Sequence, residues 1–113
     1  MHRNEPVPML TTKIRTGISM IAIMVATTMA IAQGADVYKT KCQNCHGATG
    51  VPSPSVAKYV GVKPVTDPAV KEMSKEKMIA VTTNGSGKMP AFKGKLTDAQ
   101  IKDSVSYYRT LIK

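Results

Sequence analysis

The five residues Cys42-Gln43-Asn44-Cys45-His46 decide how this sequence is interpreted. The spacing C-x-x-C-H is the attachment signature of c-type haem. Two thiols at this spacing can each add to one vinyl group of the porphyrin, and the adjacent histidine is then held beneath the iron. The segment therefore predicts one haem c, bound covalently through Cys42 and Cys45, with His46 as an axial ligand.

Other sites that use two cysteines explain the segment less well. A structural zinc site needs about four Cys or His ligands, and after residue 32 the chain offers only Cys42, Cys45 and His46. A thioredoxin-like dithiol would be expected within a βαβ pattern, and no such pattern is visible. A structural disulfide or a chance match is a weaker interpretation than haem.

The first 32 residues have the composition of a secretory signal peptide. Residues 1–15 are basic, an apolar stretch follows, and the small residues Ala30-Ile31-Ala32 complete an A-x-A pattern. We expect cleavage after Ala32, or after Gly34 as a second choice, which leaves a domain at 33–113. A transmembrane helix needs roughly 20 apolar residues, whereas the stretch 17–32 has 16 residues. The chain is therefore expected to be exported to the periplasm, and anchored in a membrane only if the leader is retained.

The predicted domain is small and basic. Residues 33–113 carry 13 Lys and Arg against 6 Asp and Glu, a net charge of +7. This charge favours acidic partners or attraction to anionic lipid, and export makes nucleic acid a poor candidate. A domain of 81 residues without Trp has a marginal core, which a covalent cofactor would complete.

Every segment with a periodic apolar pattern is predicted to be a helix. Capping residues and apolar spacing predict helices at residues 35–45, 55–60, 75–82 and over about 15 residues from Thr97. Ser74 is an N-cap for the third helix, and Thr97 with Gln100 forms a capping box for the last. The segment 61–68 is predicted to be a loop. No alternating strand pattern is present, so the domain is expected to be all-α.

The second axial ligand cannot be a histidine of the predicted domain, because the other one, His2, lies in the leader. A methionine, a lysine or an open site remains. Met73 and Met78 lie at or inside the third predicted helix, where methionine usually fills the core. Met89 lies instead in a Gly-rich loop and is followed by a proline. We therefore predict Met89 as the distal ligand to the iron, opposite His46.

The sequence resembles the class I c-type cytochromes, the small soluble monohaem group, over residues 34–112. Three segments carry the resemblance in the family's order: the haem motif at 42–47, the methionine loop at 84–92 and the C-terminal helix at 96–111. The resemblance implies an all-α cytochrome c-like fold of three to four helices around the haem, in which the N- and C-terminal helices cross.

Details of that crossing are implied by the resemblance as well. Gly34 or Ala35, with Ser106, would allow the two helices to approach closely, and Tyr38 and Tyr107 would pack nearby.

Two further features concern the crossing and the proximal ligand. Ser104 stands where an apolar residue is more usual, so a looser crossing is expected. A proline carbonyl usually orients the proximal histidine in this family, and Pro52 and Pro54 are both candidates.

The resemblance and the motifs together predict a one-electron carrier, not an enzyme, that is monomeric and serves respiratory or dehydrogenase partners. Tyr59 is a candidate contact for a haem propionate, although it could equally be an ordinary core or surface residue. Four lysines near the motifs could form a docking surface at the haem edge or an ordinary solvated surface: Lys41, Lys88, Lys93 and Lys95. The rival hypothesis is a gas sensor or peroxidase-like enzyme with a labile sixth ligand. An electron-accepting subunit of a larger enzyme is a third possibility.

Overall fold

The computed structural model describes residues 16–113, with side chains from Thr27 onward. The basic start of the predicted leader, 1–15, lies outside this range. The helices are α1 (Thr16–Val37), a π-helical turn (Tyr38–Cys42), α2 (Gln43–His46), α3 (Pro54–Val60), α4 (Pro68–Lys71), α5 (Lys75–Asn84) and α6 (Asp98–Thr110). The described residues form two isolated β-bridges and no strand. The all-α prediction is confirmed.

The C-x-x-C-H segment lies at the end of one continuous helical path. This path runs from α1 through the π-helical turn into α2 and includes the predicted helix 35–45. It ends at Gly47, which has φ +80° and whose N–H donates to the Gln43 carbonyl at 2.8 Å. A Cβ at Gly47 would lie 1.9 Å from the Val51 carbonyl oxygen. Only glycine therefore allows the chain to turn back immediately after His46.

The predicted N-caps are confirmed. The Lys77 N–H donates to Ser74 Oγ at 3.1 Å, and this bond starts α5. At α6, the Gln100 N–H donates to Thr97 Oγ1 at 3.1 Å, and the Thr97 N–H donates to Gln100 Oε1 at 2.9 Å. Each pair satisfies backbone donors that a helix N-terminus leaves without an intrahelical partner.

One short helix, α4, was not predicted from the sequence. Pro68 was interpreted as the end of a loop, but it occupies the first turn of α4. Proline suits that position because its fixed φ is helical and it has no N–H to leave unsatisfied. Asp67 caps the helix by accepting a hydrogen bond from the Ala69 N–H at 2.8 Å.

Helices α1 and α6 cross in close contact, as predicted. A Cβ at Gly34 would lie 2.0 Å from the Asp103 carbonyl oxygen and 3.2 Å from the Ser104 nitrogen, so the two backbones touch. Ser104 is 3% exposed and donates to the Ile101 carbonyl at 2.8 Å. The expectation that Ser104 loosens the crossing is wrong, because this small side chain lies buried where the helices meet. Ser106, the expected contact, is only partly buried.

The core lies between α4, α5 and α6. Val70, Met78 and Val105 form a buried cluster, as the prediction of Met78 as a core residue requires. Four partly buried side chains pack around it: Met73, Ile79, Tyr108 and Ile112. Within the described part of the chain, no helix combines the length and apolar character needed to cross a membrane.

Candidate haem site

A cavity of about 440 Å³ contains all four predicted haem-binding residues in its lining. Cys42, Cys45 and His46 come from the end of the first helical path, and Met89 comes from the loop between α5 and α6. The remaining lining is mainly apolar and includes Val60, Val62, Val70, Met73, Met78, Val81, Pro90, Phe92 and Val105. A concave apolar site with a few polar groups is the usual form of a cofactor pocket.

The two cysteines are free thiols on one helical turn. Cys42 is partly buried and Cys45 is exposed. Burial, and to a smaller degree the neighbouring Cys45, raises the pKa of the Cys42 thiol to about 11. At neutral pH the Cys42 side chain is therefore an uncharged thiol in an apolar wall. Conversion to a thioether would suit this position because a thioether carries no proton to lose.

His46 is the last residue of α2 and faces an apolar environment. Burial lowers the pKa of His46 below its ordinary value, so the imidazole is neutral at pH 7. The neutral ring is the form that ligates a metal. Its Nδ1 is buried and has no hydrogen-bond partner among the described residues, so neither Pro52 nor Pro54 accepts a bond from it. The Tyr108 ring packs against the imidazole with 5.4 Å between centroids and 67° between planes.

Met89 is held in a tight turn after α5. Ser86 and Met89 exchange two backbone hydrogen bonds, at 3.1 and 2.9 Å. The Phe92 N–H then donates to the Thr82 carbonyl at 3.0 Å and ties the end of the turn back to α5. Gly85 makes the reversal possible, because a Cβ there would lie 2.8 Å from the Met89 carbonyl oxygen. The turn therefore fixes the backbone of Met89 beside the cavity.

Met73 and Met78 line the same cavity and also belong to the core, where Met78 is part of the buried cluster and Met73 packs against it. The Arg109 guanidinium donates to the Met73 carbonyl at 3.0 Å and lies 3.8 Å from Met78 Sδ. These contacts, with the burial of Met78, fit the predicted role of both residues in packing.

The predicted lysines separate into two groups. Lys41 and Lys88 line the cavity, whereas Lys93 and Lys95 are exposed and do not. Lys63, which the sequence analysis did not single out, also lines the cavity. Only the fold reveals this third lysine, because it lies in a loop remote from every recognised motif.

Tyr59 is not part of the cavity lining. Its side chain is 67% exposed, and the Lys58 ammonium lies 5.7 Å from the centre of its ring. Its backbone carbonyl is nevertheless near the site, since it accepts a hydrogen bond from Lys88 Nζ. The structure therefore does not support the predicted propionate contact of the Tyr59 hydroxyl.

The donor set fits a c-type haem. Two free thiols and a neutral, buried imidazole stand at one side of an apolar cavity, and a thioether lies on its lining from a separate loop. Within residues 16–113 no three His, Cys, Asp or Glu side chains form a metal-binding cluster. The zinc interpretation therefore has no ligand set in the described chain.

Comparisons with known proteins agree with this site. The family described as cytochrome C oxidase, cbb3-type, subunit III matches residues 29–107. Cytochrome c6 of Leptolyngbya boryana is 38% identical over 80 residues, which are 68% of this chain and 86% of that protein. The cbb3-type cytochrome c oxidase subunit CcoP of Azospirillum brasilense is 36% identical over 84 residues, but these cover only 28% of that subunit. In the solved structure of the KustC0563 c-type cytochrome, the similarity covers 71% of this chain and 98% of that chain, with a TM-score of 0.63 and 29% identity.

Proposed function

This chain belongs to the class I c-type cytochromes, which carry covalently bound haem c and transfer electrons without being enzymes, and we propose that it is a one-electron carrier with His46/Met89 ligation. The observation that carries this proposal is the presence of Cys42, Cys45, His46 and Met89 on one cavity. When bound, haem c supplies an iron that alternates between Fe(II) and Fe(III).

The residues of the chain then have distinct roles. Cys42 and Cys45 would hold the haem through thioether bonds formed by addition of their thiols to its vinyl groups, and His46 and Met89 would ligate its iron. Thioether ligation raises the reduction potential, and the apolar walls act in the same direction because they disfavour the additional positive charge of Fe(III).

A carrier fits the cavity better than a peroxidase-like enzyme or a gas sensor. Peroxide chemistry would call for an acid–base side chain on the distal side, and the cavity lining contains no Asp, Glu or second His among the described residues. The turn that holds Met89 also favours a haem iron whose sixth coordination position is occupied by this residue. We therefore keep the rival hypothesis only as an outcome of the experiment below.

The surface around the cavity supports docking of an acidic redox partner. Lys41, Lys63 and Lys88 come from three different segments and line the same cavity. Positive charge at the cavity would attract an acidic partner and accelerate encounter at low salt. Lys93 and Lys95 would extend this surface outside the cavity.

We further propose a monomer that is exported to the periplasm, with a signal peptide at 1–32 and the cytochrome domain at 33–113. The contact of Gly34 with the α6 backbone supports cleavage after Ala32 rather than after Gly34. Removal of Gly34 would take away a residue on which the helix crossing depends.

Substitution of the predicted distal ligand tests the proposal. The ferric holoprotein should be low-spin, with the weak far-red band of methionine–iron ligation. Met89→Leu preserves side-chain volume but should abolish this band and let the reduced protein bind carbon monoxide. Met73→Leu is the matched control, because Met73 lines the same cavity, and it should retain the band. Retention of the band in Met89→Leu would refute Met89 as the ligand, and rapid carbon monoxide binding by the unmodified protein would favour the sensor.

A further inference from the structure

Tyr38 makes a buried hydrogen bond directly beside the proximal ligand. Its side chain is 2% exposed, and its hydroxyl donates to the Gly47 carbonyl at 2.6 Å. Gly47 is the residue that follows His46. The bond therefore connects the π-helical turn to the end of α2.

The peptide groups on both sides of Gly47 are thereby fixed. The Gly47 N–H donates to the Gln43 carbonyl at 2.8 Å, and the Gly47 carbonyl accepts from the Tyr38 hydroxyl at 2.6 Å and from the Gly50 N–H at 3.2 Å. Because α2 is the last turn of the helical path, the carbonyl groups at its end lack intrahelical donors. The Tyr38 bond is thus a tertiary constraint on the end of the path that carries His46.

The same tyrosine also supports the imidazole ring through packing. Tyr38 stacks on Tyr108 at 6.0 Å with 27° between planes, and Tyr108 meets the His46 ring edge-on at 5.4 Å. The orientation of a ligating histidine is usually set by a hydrogen bond at its second nitrogen. Here His46 Nδ1 has no such partner among the described residues, and the contact with the Tyr108 ring supports the imidazole instead.

We propose that Tyr38 is a positioning residue for the proximal ligand: its hydroxyl holds the Gly47 peptide, and its ring supports Tyr108 against His46. This inference rests on the proposed function, because it takes His46 to be an axial ligand. Tyr38 also lines the cavity, but its contacts with Gly47 and Tyr108 carry the proposed effect on His46.

The substitution Tyr38→Phe separates the hydroxyl from the ring. It keeps the packing against Tyr108 but removes the hydroxyl donor, so that the Gly47 carbonyl retains only the longer bond from the Gly50 N–H at 3.2 Å. Tyr107→Phe is the matched control: the Tyr107 ring packs on Tyr38 at 5.3 Å, but its hydroxyl forms no hydrogen bond within residues 27–113. Both variants remove one hydroxyl from the same aromatic cluster.

Two measurements on the holoprotein test the proposal. In Tyr38→Phe the Gly47 amide should exchange with solvent about 5-fold faster, the factor expected for one lost hydrogen bond, while amides in the middle of α6 keep their relative rates. The iron-shifted NMR signals of the His46 ring should move in Tyr38→Phe and stay unchanged in Tyr107→Phe. A purely structural role would accelerate exchange throughout the domain and leave the His46 signals in place.

The outcomes distinguish this inference from the proposed function. His46 signals that are iron-shifted in the unmodified protein but identical in Tyr38→Phe would overturn the positioning role alone. Equal movement of these signals in both variants would also overturn it, because the effect would then not depend on the bond to Gly47. If the unmodified holoprotein showed no iron-shifted His46 signals, both the ligation and the positioning role would be refuted.

Discussion

The substitution Gly34→Ala tests the closest contact in the fold, at the crossing of α1 and α6. The added Cβ would lie 2.0 Å from the Asp103 carbonyl oxygen and 2.5 Å from its carbon, both of which are backbone atoms. Ordinary contacts of a Cβ begin near 3.4 Å, so the helices must separate by more than 1 Å along this line. Flexible side chains cannot absorb that displacement.

Two opposing effects determine how much Gly34→Ala changes the free energy of unfolding. Alanine is favoured over glycine inside a helix by about 0.5–1 kcal/mol. Overpacking costs about 1–3 kcal/mol, and the gap opened between the helices removes further van der Waals contacts along the crossing. We expect a net loss of about 2 kcal/mol in the free energy of unfolding. For a domain of this size that corresponds to a decrease in Tm of about 8–16 °C.

Thermal unfolding of the holoprotein, followed by circular dichroism, measures this loss. Gly61→Ala is the comparison, because Gly61 has φ +77° but no atom within 4 Å of an added Cβ. It should cost only the backbone strain of a left-handed residue, about 1–2 kcal/mol. A Tm for Gly34→Ala at or above that of the unmodified protein would refute the close helix crossing, because helix propensity alone would then determine the result.

Three further predictions concern a cap, a buried hydroxyl and the charged surface. Thr97→Ala removes the capping box of α6 and should lower the free energy of unfolding by about 1 kcal/mol in guanidine titrations; an unchanged midpoint would contradict the cap. Burial raises the pKa of Tyr38 above its ordinary value of 10.0, so the contribution of Tyr38 to the free energy of unfolding should be constant below about pH 10 and fall at higher pH, where only the unfolded state loses the tyrosine proton. The decline of stability at high pH should be shallower in Tyr38→Phe than in the unmodified protein. Equal slopes in the two proteins would contradict the attribution of the decline to Tyr38. Replacement of Lys41, Lys63 or Lys88 by Gln should slow oxidation by the anion ferricyanide at low salt more than replacement of a lysine outside the cavity lining, with the difference lost at high salt.

Local signals predicted most of the helices because their physical causes are local. Ser74 and Thr97 cap helices through side-chain bonds to backbone donors three residues away, a distance that the sequence displays directly. Pro68 was misinterpreted because proline ends one helix and begins another with equal ease. The carboxylate of Asp67 was the signal that could have resolved this ambiguity.

Residues that act through the tertiary fold could not be placed in the same way. Lys63 and Tyr59 lie four positions apart near the same helix end, yet only Lys63 lines the cavity. Charge and composition contain no information on which of the two faces inward. The bond from Tyr38 to Gly47 was missed for a related reason, since an aromatic residue in a helical pattern predicts packing but not the destination of its hydroxyl.

The two predicted iron ligands share one structural arrangement, in which each follows or ends a helix that a glycine terminates. His46 ends α2 and Met89 follows α5, and each of these helices is ended by a glycine at φ +80° or +78°. In both places a Cβ would collide with a backbone carbonyl a few residues further along, that of Val51 or of Met89 itself. The chain therefore folds back tightly beside each ligand, where a freely extended loop would leave the ligand mobile. The glycines mark both turns in the sequence, but only packing of α5 and the first helical path against α6 brings the turns to one cavity.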